Sequence, residues 1–591
     1  MRPGRVLAAE AHFDHRADGT LYVASPHPLG PYPDQLTERL EHWASHAPER
    51  IFLAQRDAAG AWRSVTYAEA LPRVRAIAQA LLNRNLGPHR PVAILSGNSI
   101  EHALMALACM YAGVLYAPVS PSYSLASSEL TTLRYLWQSL APALVFAAEG
   151  ELYQRPLASI LDRHTELVTV SPPNSLRATS FDELLATSIG PRVDEAHARV
   201  TPGTIAKVLF TSGSTGAPKG VITTQRMLCS NQQMLRTVMG FLAEQPPVLC
   251  DWLPWNHVFG GSHNFGIALY NGGTLYLDEG KPTASGFPAS LRNLREIATT
   301  AYFNVPKGYE MLVPALRADE AFRQHFFSRV QILFYAAAGL NQRIWDELQE
   351  LAVQACGDEI LMMTGLGATE SAPFALSTGI EGAAAGRVGL PVPGVELKIV
   401  PVDGKLEARL RGPNITPGFW RNPALTAAAF DDEGFYKLGD ALVFADAADP
   451  LKGFCFDGRL SEDFKLSTGT WVSVGPLRAK LLTALAGVAY EAVIAGPDRD
   501  YVSALLFALP GASFETLAAR LQALAATSTG ISTRVQRVLV LDAQPSMDAG
   551  ELTEKGTLNQ KAVLRHRAAF VEELYTGSVR VICAGATGAV L

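Results

Sequence analysis

The sequence predicts an α/β protein with a large, multi-lobed N-terminal domain and a small, mobile α+β C-terminal domain. Short apolar strands alternate with amphipathic helices through roughly the first 385 residues, and short, glycine-punctuated strands follow. The chain has 591 residues, several times the usual length of one domain. We therefore expect domains at 1–460 and 461–591. The first should contain two α/β layered subdomains and a β-rich subdomain at about 385–460.

The α/β rhythm of the first half begins with a helix start signal at 66–69 (TYAE). Thr66 can cap a free amide there, while Glu69 reaches back to the start of the helix. Apolar residues then recur at helical spacing over 70–82, and Gly87 precedes a proline that ends the helix. The signals that follow are a buried apolar run at 91–95, a helix at 99–113 and strand-like runs at 114–120, 205–210 and 332–335.

The C-terminal region predicts a compact mixture of strands and helices. The last residues, 576–591, are rich in glycine and alanine, and we expect them to form a loosely ordered tail. The other expected elements are strands within 489–497, 503–510 and 534–541, a helix at 513–526 and a single helix at 561–575.

Composition narrows the class of protein. The net charge is −6 and the isoelectric point is near 6.1, which disfavours a nucleic-acid-binding protein. Six cysteines stand far apart and none forms a CxxC pair, so we expect neither a zinc site nor a disulfide framework. No N-terminal apolar run is long enough for a signal peptide, and the most apolar stretch, 103–119, is short for a membrane span. These observations predict a cytoplasmic protein without a nucleic-acid or membrane partner, and they leave monomer and homodimer open.

The strongest chemical signal is the stretch 209–220 (LFTSGSTGAPKG). A buried strand leads into small and hydroxylated residues followed by one lysine, a pattern whose amides, hydroxyls and ammonium suit a phosphate. The stretch lacks the Gly-Lys-Ser/Thr ending of a Walker A loop, and a plain Ser/Gly turn is the alternative. The candidate phosphate-binding residues are Thr211, Ser212, Gly213, Ser214, Thr215, Gly216 and Lys219.

This stretch resembles the phosphate loop of the acyl-adenylate-forming (AMP-binding) enzymes, which include acyl-CoA synthetases, peptide-synthetase adenylation domains and luciferases. Four further segments match that superfamily in its order, and the resemblance covers about 28–575. They are 367–370 (GATE), 406–420 (LEARLRGPNITPGFW), 436–440 (YKLGD) and 458–465 (GRLSEDFK).

The resemblance implies a role for each matched residue. Glu370 corresponds to the Mg²⁺ ligand, which suits a hard cation, and Thr369 to a donor for the α-phosphate. Asp440 would accept the two ribose hydroxyls, and Arg459 would add donors on the other side of the nucleotide. The small-residue segment Ala337, Ala338 and Gly339, with Leu366 and Gly367, corresponds to the adenine slot. Leu366 stands where the family often has an aromatic ring.

The acid-binding side most closely resembles bacterial feruloyl-CoA synthetases. His257, within 251–266 (DWLPWNHVFGGSHNFG), matches the histidine that the family places beside the reacting carboxylate. Lys219 and Thr369 belong to the same expected catalytic set. The candidate residues for the aromatic acid are Phe259, Gly260, His263, Asn264 and Phe265. One hypothesis is that His263 recognises the phenol or methoxy group of the acid. The equally weighted alternative is that it is an ordinary histidine in the wall of the acid pocket.

The main departure from the superfamily pattern concerns its C-terminal lysine, which this sequence lacks at the matching position. Strict alignment puts Thr557 at its position. Lys555 is our preferred substitute as the catalytic lysine, and Lys561 is the alternative, although a solvated helix face explains Lys561 as well.

The resemblance therefore implies a CoA ligase that joins ferulate, or a related hydroxycinnamate, to coenzyme A through an acyl adenylate, using ATP and Mg²⁺. Its expected partners are a small-molecule aromatic carboxylic acid and CoA, and its small domain is expected to pivot near Ser461. Three alternatives remain: a ligase for another aryl or acyl acid, an enzyme that passes the adenylate to a carrier protein, and a nucleotide-binding protein with impaired adenylation.

Overall fold

The computed structural model describes residues 5–211, 217–379, 383–528, 530–553 and 557–584. Its architecture agrees with the predicted class: layered α/β sheets form the large N-terminal part, and a small α+β unit follows.

The first layer is a mostly parallel sheet whose outermost strand, Lys219–Thr224, runs antiparallel to Ile205–Thr211. The predicted capping box is confirmed, because the Thr66 side chain accepts from the Glu69 amide and Glu69 returns to the Thr66 amide. In spatial order the strands are Lys219–Thr224, Ile205–Thr211, Tyr116–Pro118, Val92–Ile94, Leu144–Glu149, Glu166–Ser171 and Thr179–Ser180. The helices beside them are Tyr67–Asn83, Ile100–Ala112, Thr131–Leu140, Gln154–Ile160, Phe181–Leu185 and Pro191–Ala198.

The second layer packs a short sheet against helices and carries the acid-side segment. That segment, Phe259–Asn264, is a π-helical turn, and a second π-helical turn lies at Ser122–Ala126. The strands are Val248–Asp251, Thr274–Leu277, Ile51–Arg56 and Trp62–Thr66. The helices are Glu38–His46, Gln225–Val238, Phe241–Glu244, Phe265–Tyr270 and Phe287–Glu296.

A long mixed sheet forms the third layer and contains the strands of the predicted β-rich region at 385–460. Arg387–Pro391 pairs with Leu376–Ser377, which joins the strands of that region to the α/β strands. In order the strands are His12–His15, Leu21–Ala24, Glu396–Val402, Lys405–Arg411, Tyr436–Phe444, Phe454–Arg459, Arg387–Pro391, Leu376–Ser377, Leu361–Leu366, Ile332–Tyr335 and Ala301–Asn304. The helices are Pro306–Ala318, Glu320–Phe327, Gln342–Cys356 and Pro423–Ala429, with single 3₁₀ turns at Thr369–Ser371 and Pro450–Lys452.

The C-terminal unit has its own sheet and core, with two corrections to the prediction. The expected helix at 561–575 is interrupted at Arg567, whose buried guanidinium pairs with Glu551 at 2.7 Å. The expected loose tail contributes the strand Val581–Cys583 to the sheet edge. The strands are Ala489–Ala495, Val502–Ala508, Val535–Val540 and Val581–Cys583, with a hairpin of Phe464–Lys465 and Trp471–Val472. The helices are Val474–Ala484, Phe514–Ala526, Gln560–His566 and Ala568–Thr576.

The apolar stretch at 103–119 is divided between the buried helix Ile100–Ala112 and the strand Tyr116–Pro118. Ser99 caps the start of that helix, and Gly113 ends it in the left-handed conformation with φ +66°. Across the described residues, no helix combines the length and apolar character that a membrane crossing needs.

Candidate active site

Two antiparallel strands bring the ends of the predicted phosphate loop together. Thr211 ends the strand Ile205–Thr211 and pairs directly with Lys219, the first residue of Lys219–Thr224. Of the residues between them, 212–216 lie outside the described residues. The strand pairing therefore places the lysine and the threonine side by side at the base of the loop.

Lys219 reaches across to the predicted metal ligand. Its Nζ lies 2.7 Å from Oε1 of Glu370 and 4.6 Å from the centre of the Phe419 ring. Burial raises the pKa of the Glu370 carboxyl, but the charge and hydrogen bond of Lys219 outweigh burial and bring that pKa below its ordinary value. The buried Tyr436 hydroxyl also bonds to Glu370, and burial followed by the Glu370 charge raises the pKa of Tyr436. Glu370 is therefore ionised at neutral pH.

The backbone of the turn that carries Thr369 and Glu370 is tightly packed. A Cβ at Gly367 would lie 1.5 Å from the carbonyl oxygen of Pro373, so no other residue fits there without rearrangement. The Ser371 hydroxyl donates to the Pro373 carbonyl at 2.8 Å. Thr369 itself is buried, at 6% exposure. These contacts set the position of the turn that carries the two candidate side chains.

Asp440 and Arg459, the two residues expected to hold the ribose side of the nucleotide, face each other on neighbouring strands. They are register partners, and Nε of Arg459 lies 3.1 Å from Oδ1 of Asp440. Burial raises the pKa of Asp440 to about 6, although the Arg459 charge acts in the opposite direction. Arg459 keeps much of its side chain exposed, at 58%. The pair thus offers a buried acceptor beside an accessible donor.

The predicted adenine slot lies where two parallel strands end at one edge of the long sheet. Ile332–Tyr335 and Leu361–Leu366 pair in parallel, so Ala337 and Leu366 emerge at the same edge. Ala337 adopts a left-handed backbone with φ +75°. Ala337, Ala338 and Gly339 are exposed, and Leu366 is half-buried. An exposed small-residue segment beside an apolar side chain is compatible with a flat ring.

On the acid side, His257 is followed directly by the π-helical turn Phe259–Asn264. Nδ1 of His257 accepts a hydrogen bond from the Phe259 amide at 3.3 Å. A Cβ at Gly260 would lie 2.3 Å from the Leu253 carbonyl oxygen. This close backbone approach accounts for the glycine by itself, without a role for Gly260 in binding the acid.

His263 lies inside an aromatic cage that includes one of the predicted phenylalanines. Its ring centre is 5.2 Å from that of Phe259, and it is 1% exposed. The cage is completed by Phe303, Phe334 and Phe374, at ring-centre distances of 5.2, 5.5 and 6.1 Å. Burial lowers the pKa of His263 to about 4, so the imidazole is neutral at neutral pH.

The hydrogen bond of His263 determines what its free nitrogen can do. Nδ1 lies 2.8 Å from Oδ1 of Asn264, and since an amide oxygen only accepts, Nδ1 carries the proton. Nε2 is buried and has no hydrogen-bond partner among the described residues. It is therefore an available acceptor. Phe265 is buried too, but its ring contacts are with Trp255 and Phe52.

A sequence profile described as AMP-binding enzyme matches residues 40–420, well over half of the chain. The protein belongs to the AMP-binding enzyme family. Its fold agrees with a solved relative, the A domain of carboxylic acid reductase from Segniliparus rugosus in complex with AMP and a co-purified carboxylic acid. The TM-score is 0.70 at 19% identity, over 92% of this chain and 94% of that chain.

Two relatives illustrate the range of this AMP-binding enzyme family. The 3-hydroxybenzoate–CoA ligase of Aromatoleum sp. is 25% identical over 516 residues, which cover 83% of this chain and 91% of that protein. The carboxylic acid reductase of Mycobacterium marinum is 24% identical over 568 residues, covering 87% of this chain and 47% of that protein. The chain thus spans about half the length of the reductase and most of the CoA ligase.

This AMP-binding family uses ATP, Mg²⁺ and coenzyme A. The residues present fit the metal through Glu370, an ionised carboxylate beside Lys219 of the predicted phosphate loop. Within the described ranges, no group of three or more His, Cys, Asp and Glu side chains could hold a metal ion. Glu370 would therefore share Mg²⁺ with phosphate oxygens and water, as is usual for this cation.

The position of the adenylation lysine is only partly covered by the structure. Lys555, our preferred residue, lies outside the described residues. Lys561 is exposed on the helix Gln560–His566. Thr557 accepts a backbone hydrogen bond from the Thr553 amide at 2.8 Å, which closes the base of this loop.

Two residues near the site were not singled out from the sequence as functional. Tyr436 opens the segment 436–440, and only its contact with Glu370 reveals a role for its hydroxyl. Lys207 is a lysine inside a buried strand, at 1% exposure. A charged residue within the apolar run 205–210 was the available signal for Lys207.

Proposed function

We propose that this protein is an AMP-forming CoA ligase for an aromatic carboxylic acid, and that ferulate or a related hydroxycinnamate is its substrate. The observation that carries the proposal is the His263 cage: four phenylalanine rings surround one neutral, buried acceptor nitrogen. Aromatic walls favour a flat ring, and an acceptor inside them favours a ring that bears a hydroxyl donor.

In the proposed first half-reaction, a carboxylate oxygen of the acid attacks the α-phosphorus of ATP. The bond to diphosphate breaks, and an acyl adenylate forms. Lys219 offsets negative charge on the phosphates, and Thr369 donates to the α-phosphate. Asp440 fixes the ribose and His257 lies beside the acid carboxylate. The principal barrier in this step is to bring two anions together in line, and these groups lower it by holding both in place.

In the proposed second half-reaction, the CoA thiolate attacks the acyl carbon and AMP leaves with the bonding electrons. We infer that the small domain reorients between the steps about a pivot near Ser461, with domains at 1–460 and 461–591. The contacts of Lys405 support a pivot near Ser461. Its Nζ lies 2.6 Å from the Asp457 carbonyl oxygen and 2.5 Å from Oδ2 of Asp463. One buried ammonium thus contacts the chain on both sides of the pivot.

Product analysis tests the reaction. The purified protein is incubated with ATP, Mg²⁺ and CoA and with separate cinnamates, benzoates and fatty acids, and AMP and thioester are quantified. We expect both products with ferulate in equal amounts. ADP in place of AMP, or equal rates with fatty acids, would contradict the proposal. AMP formation without thioester would favour transfer to a carrier protein, and neither product would favour nucleotide binding alone.

A single substitution tests the acid class. We expect His263→Leu, which keeps the cage apolar, to lower kcat/KM for ferulate by about tenfold, because one buried hydrogen bond is lost. Cinnamate, which has no ring hydroxyl, should lose much less. An unchanged preference between ferulate and cinnamate would show that His263 is only a structural part of the pocket wall.

A further inference from the structure

Two buried side chains from outside the π-helical turn Phe259–Asn264 hold three of its consecutive carbonyls. Lys207 donates from Nζ to the Gly261 carbonyl oxygen at 2.8 Å. Gln232 donates from Nε2 to the carbonyl oxygens of Ser262 at 2.8 Å and His263 at 3.2 Å. Such turns occur often at functional sites, and here the turn lies directly after His257.

Both donors come from elements that flank the phosphate loop. Lys207 lies on the strand Ile205–Thr211, which ends where the loop begins. Gln232 lies on the helix Gln225–Val238, which starts directly after the strand Lys219–Thr224 that follows the loop. The turn on the acid side is therefore attached to the phosphate-binding side from both ends of the loop.

Stability does not account for a lysine at this place. Lys207 is 1% exposed, and no ion pair to it occurs in the described part of the chain. Burial lowers the pKa of Lys207 to about 7. A buried cation facing only a neutral carbonyl is unfavourable, and an apolar side chain of similar length is often tolerated as well or better in such a place.

The turn also contacts His257 through the backbone. The Gly261 amide donates to the His257 carbonyl oxygen at 2.8 Å. A Cβ at Gly261 would lie 2.2 Å from the Trp255 carbonyl oxygen, so the turn rests directly on the segment before it. Gly261 is therefore in direct backbone contact with both His257 and Trp255.

We propose that Lys207 and Gln232 are positioning residues that set the distance between the phosphate loop and the acid-binding segment. This inference rests on the proposed function, because it concerns how an acid is placed against ATP. The reacting atoms must approach to about 3–3.5 Å in line, and a misplacement of about 1 Å can lower the rate by about 100-fold. Neither side chain needs to touch a reactant for this effect.

The test compares Lys207→Met and Gln232→Leu with Lys480→Met, which removes an exposed lysine on the helix Val474–Ala484. For the most active acid, we expect both buried variants to raise KM for the acid by about tenfold and to lower kcat. The Kd of ATP, measured by calorimetry without acid, should stay within about twofold, and Lys480→Met should behave as wild type. Equal losses in ATP and acid affinity, or no loss in either, would overturn the proposal.

Hydrogen exchange provides a readout that does not depend on turnover. In Lys207→Met we expect faster amide exchange in peptides covering 255–266 and unchanged exchange in the rest of the first sheet. Unchanged exchange over 255–266 would overturn the positioning role, even for an enzyme that is active. If the wild type formed no product with any acid, the proposed function would be overturned instead. The hydrogen-exchange result would still test the positioning role. In the double variant the two effects should be less than additive, because both residues hold one segment.

Discussion

Nζ of Lys219 and Oε1 of Glu370 form a 2.7 Å ion pair between the base of the phosphate loop and the turn after Leu361–Leu366. The carboxylate is 7% exposed and the lysine 27%. Without nucleotide, each group neutralises the other. We expect Glu370 to exchange the ammonium for Mg²⁺ when nucleotide binds, which leaves Lys219 to contact phosphate oxygens.

The first prediction concerns this pair. Glu370→Gln should lower diphosphate release with acid and ATP by about 100-fold or more, because it removes a charged metal ligand from the reacting phosphates. The matched control is Glu396→Gln, which removes an exposed carboxylate paired with Arg411. Its rate should stay within about twofold of wild type. Full activity of Glu370→Gln at the Mg²⁺ concentration used for the wild type would show that other groups bind the metal.

The second prediction concerns Asp440, whose pKa burial raises to about 6. Its carboxylate can accept both ribose hydroxyls, and protonation turns one oxygen into a donor. The affinity for adenosine should therefore fall as the pH decreases through about 6 in the wild type. Adenosine is the chosen ligand because it carries no titrating phosphate. The affinity of Asp440→Asn should be lower and nearly constant over the same interval, and a parallel pH profile in both proteins would contradict this role.

The third prediction compares two glycines of the candidate nucleotide site. Gly367→Ala places a methyl group 1.5 Å from the Pro373 carbonyl oxygen, so the turn that carries Thr369 and Glu370 must shift. A Cβ at Gly339 meets no described atom within 4 Å. We expect Gly367→Ala to weaken ATP binding by at least about tenfold in calorimetry, because it displaces the groups that face the phosphates. Gly339→Ala should be tolerated within about threefold, and similar losses in both would argue against the steric explanation.

The fourth prediction concerns stability and pH. The pKa of Lys207 is about 7 in the folded protein and 10.5 is its ordinary value. Between these values the unfolded chain binds a proton that the folded chain does not, so folding stability should rise with pH, by a few kcal/mol in total. Lys207→Met should lose this rise, and the difference between the two proteins should shrink as the pH increases from 7 to 10. Denaturant unfolding at several pH values measures it, and a constant difference would show that Lys207 titrates normally.

The fifth prediction concerns a contact between the small and the large domain. Asp548 accepts from the Ser127 hydroxyl at 2.5 Å and from the Ser128 hydroxyl at 2.7 Å. Asp548→Ala should favour departure of the small domain from this arrangement and change the ratio of diphosphate exchange to thioester formation by about twofold or more. Asp542→Ala, which removes an exposed carboxylate beside Arg580, is the control. An unchanged ratio would show that the contact does not bias the domains.

The sequence by itself determined what depends on neighbours along the chain. The cap at Thr66, the strand Ile332–Tyr335 and the phosphate-loop pattern are local, because capping, side-chain alternation and close backbone approach act over a few residues. The motif order was sufficient to indicate the superfamily, and the matched profile over 40–420 confirms it.

Only the tertiary structure decided which distant groups meet. The cage of His263 draws its rings from separate elements, and Lys219 on one sheet pairs with Glu370 in a turn that follows a strand of another. Arg567, where the expected helix is interrupted, pairs with Glu551. The short strands His12–His15 and Leu21–Ala24 also carry no strong local signal. Leu21–Ala24 pairs with the distant strand Glu396–Val402, and His12–His15 pairs with Leu21–Ala24 at the edge of the sheet. Burial and pairing energies of this kind depend on spatial neighbours, which periodicity along one segment does not specify.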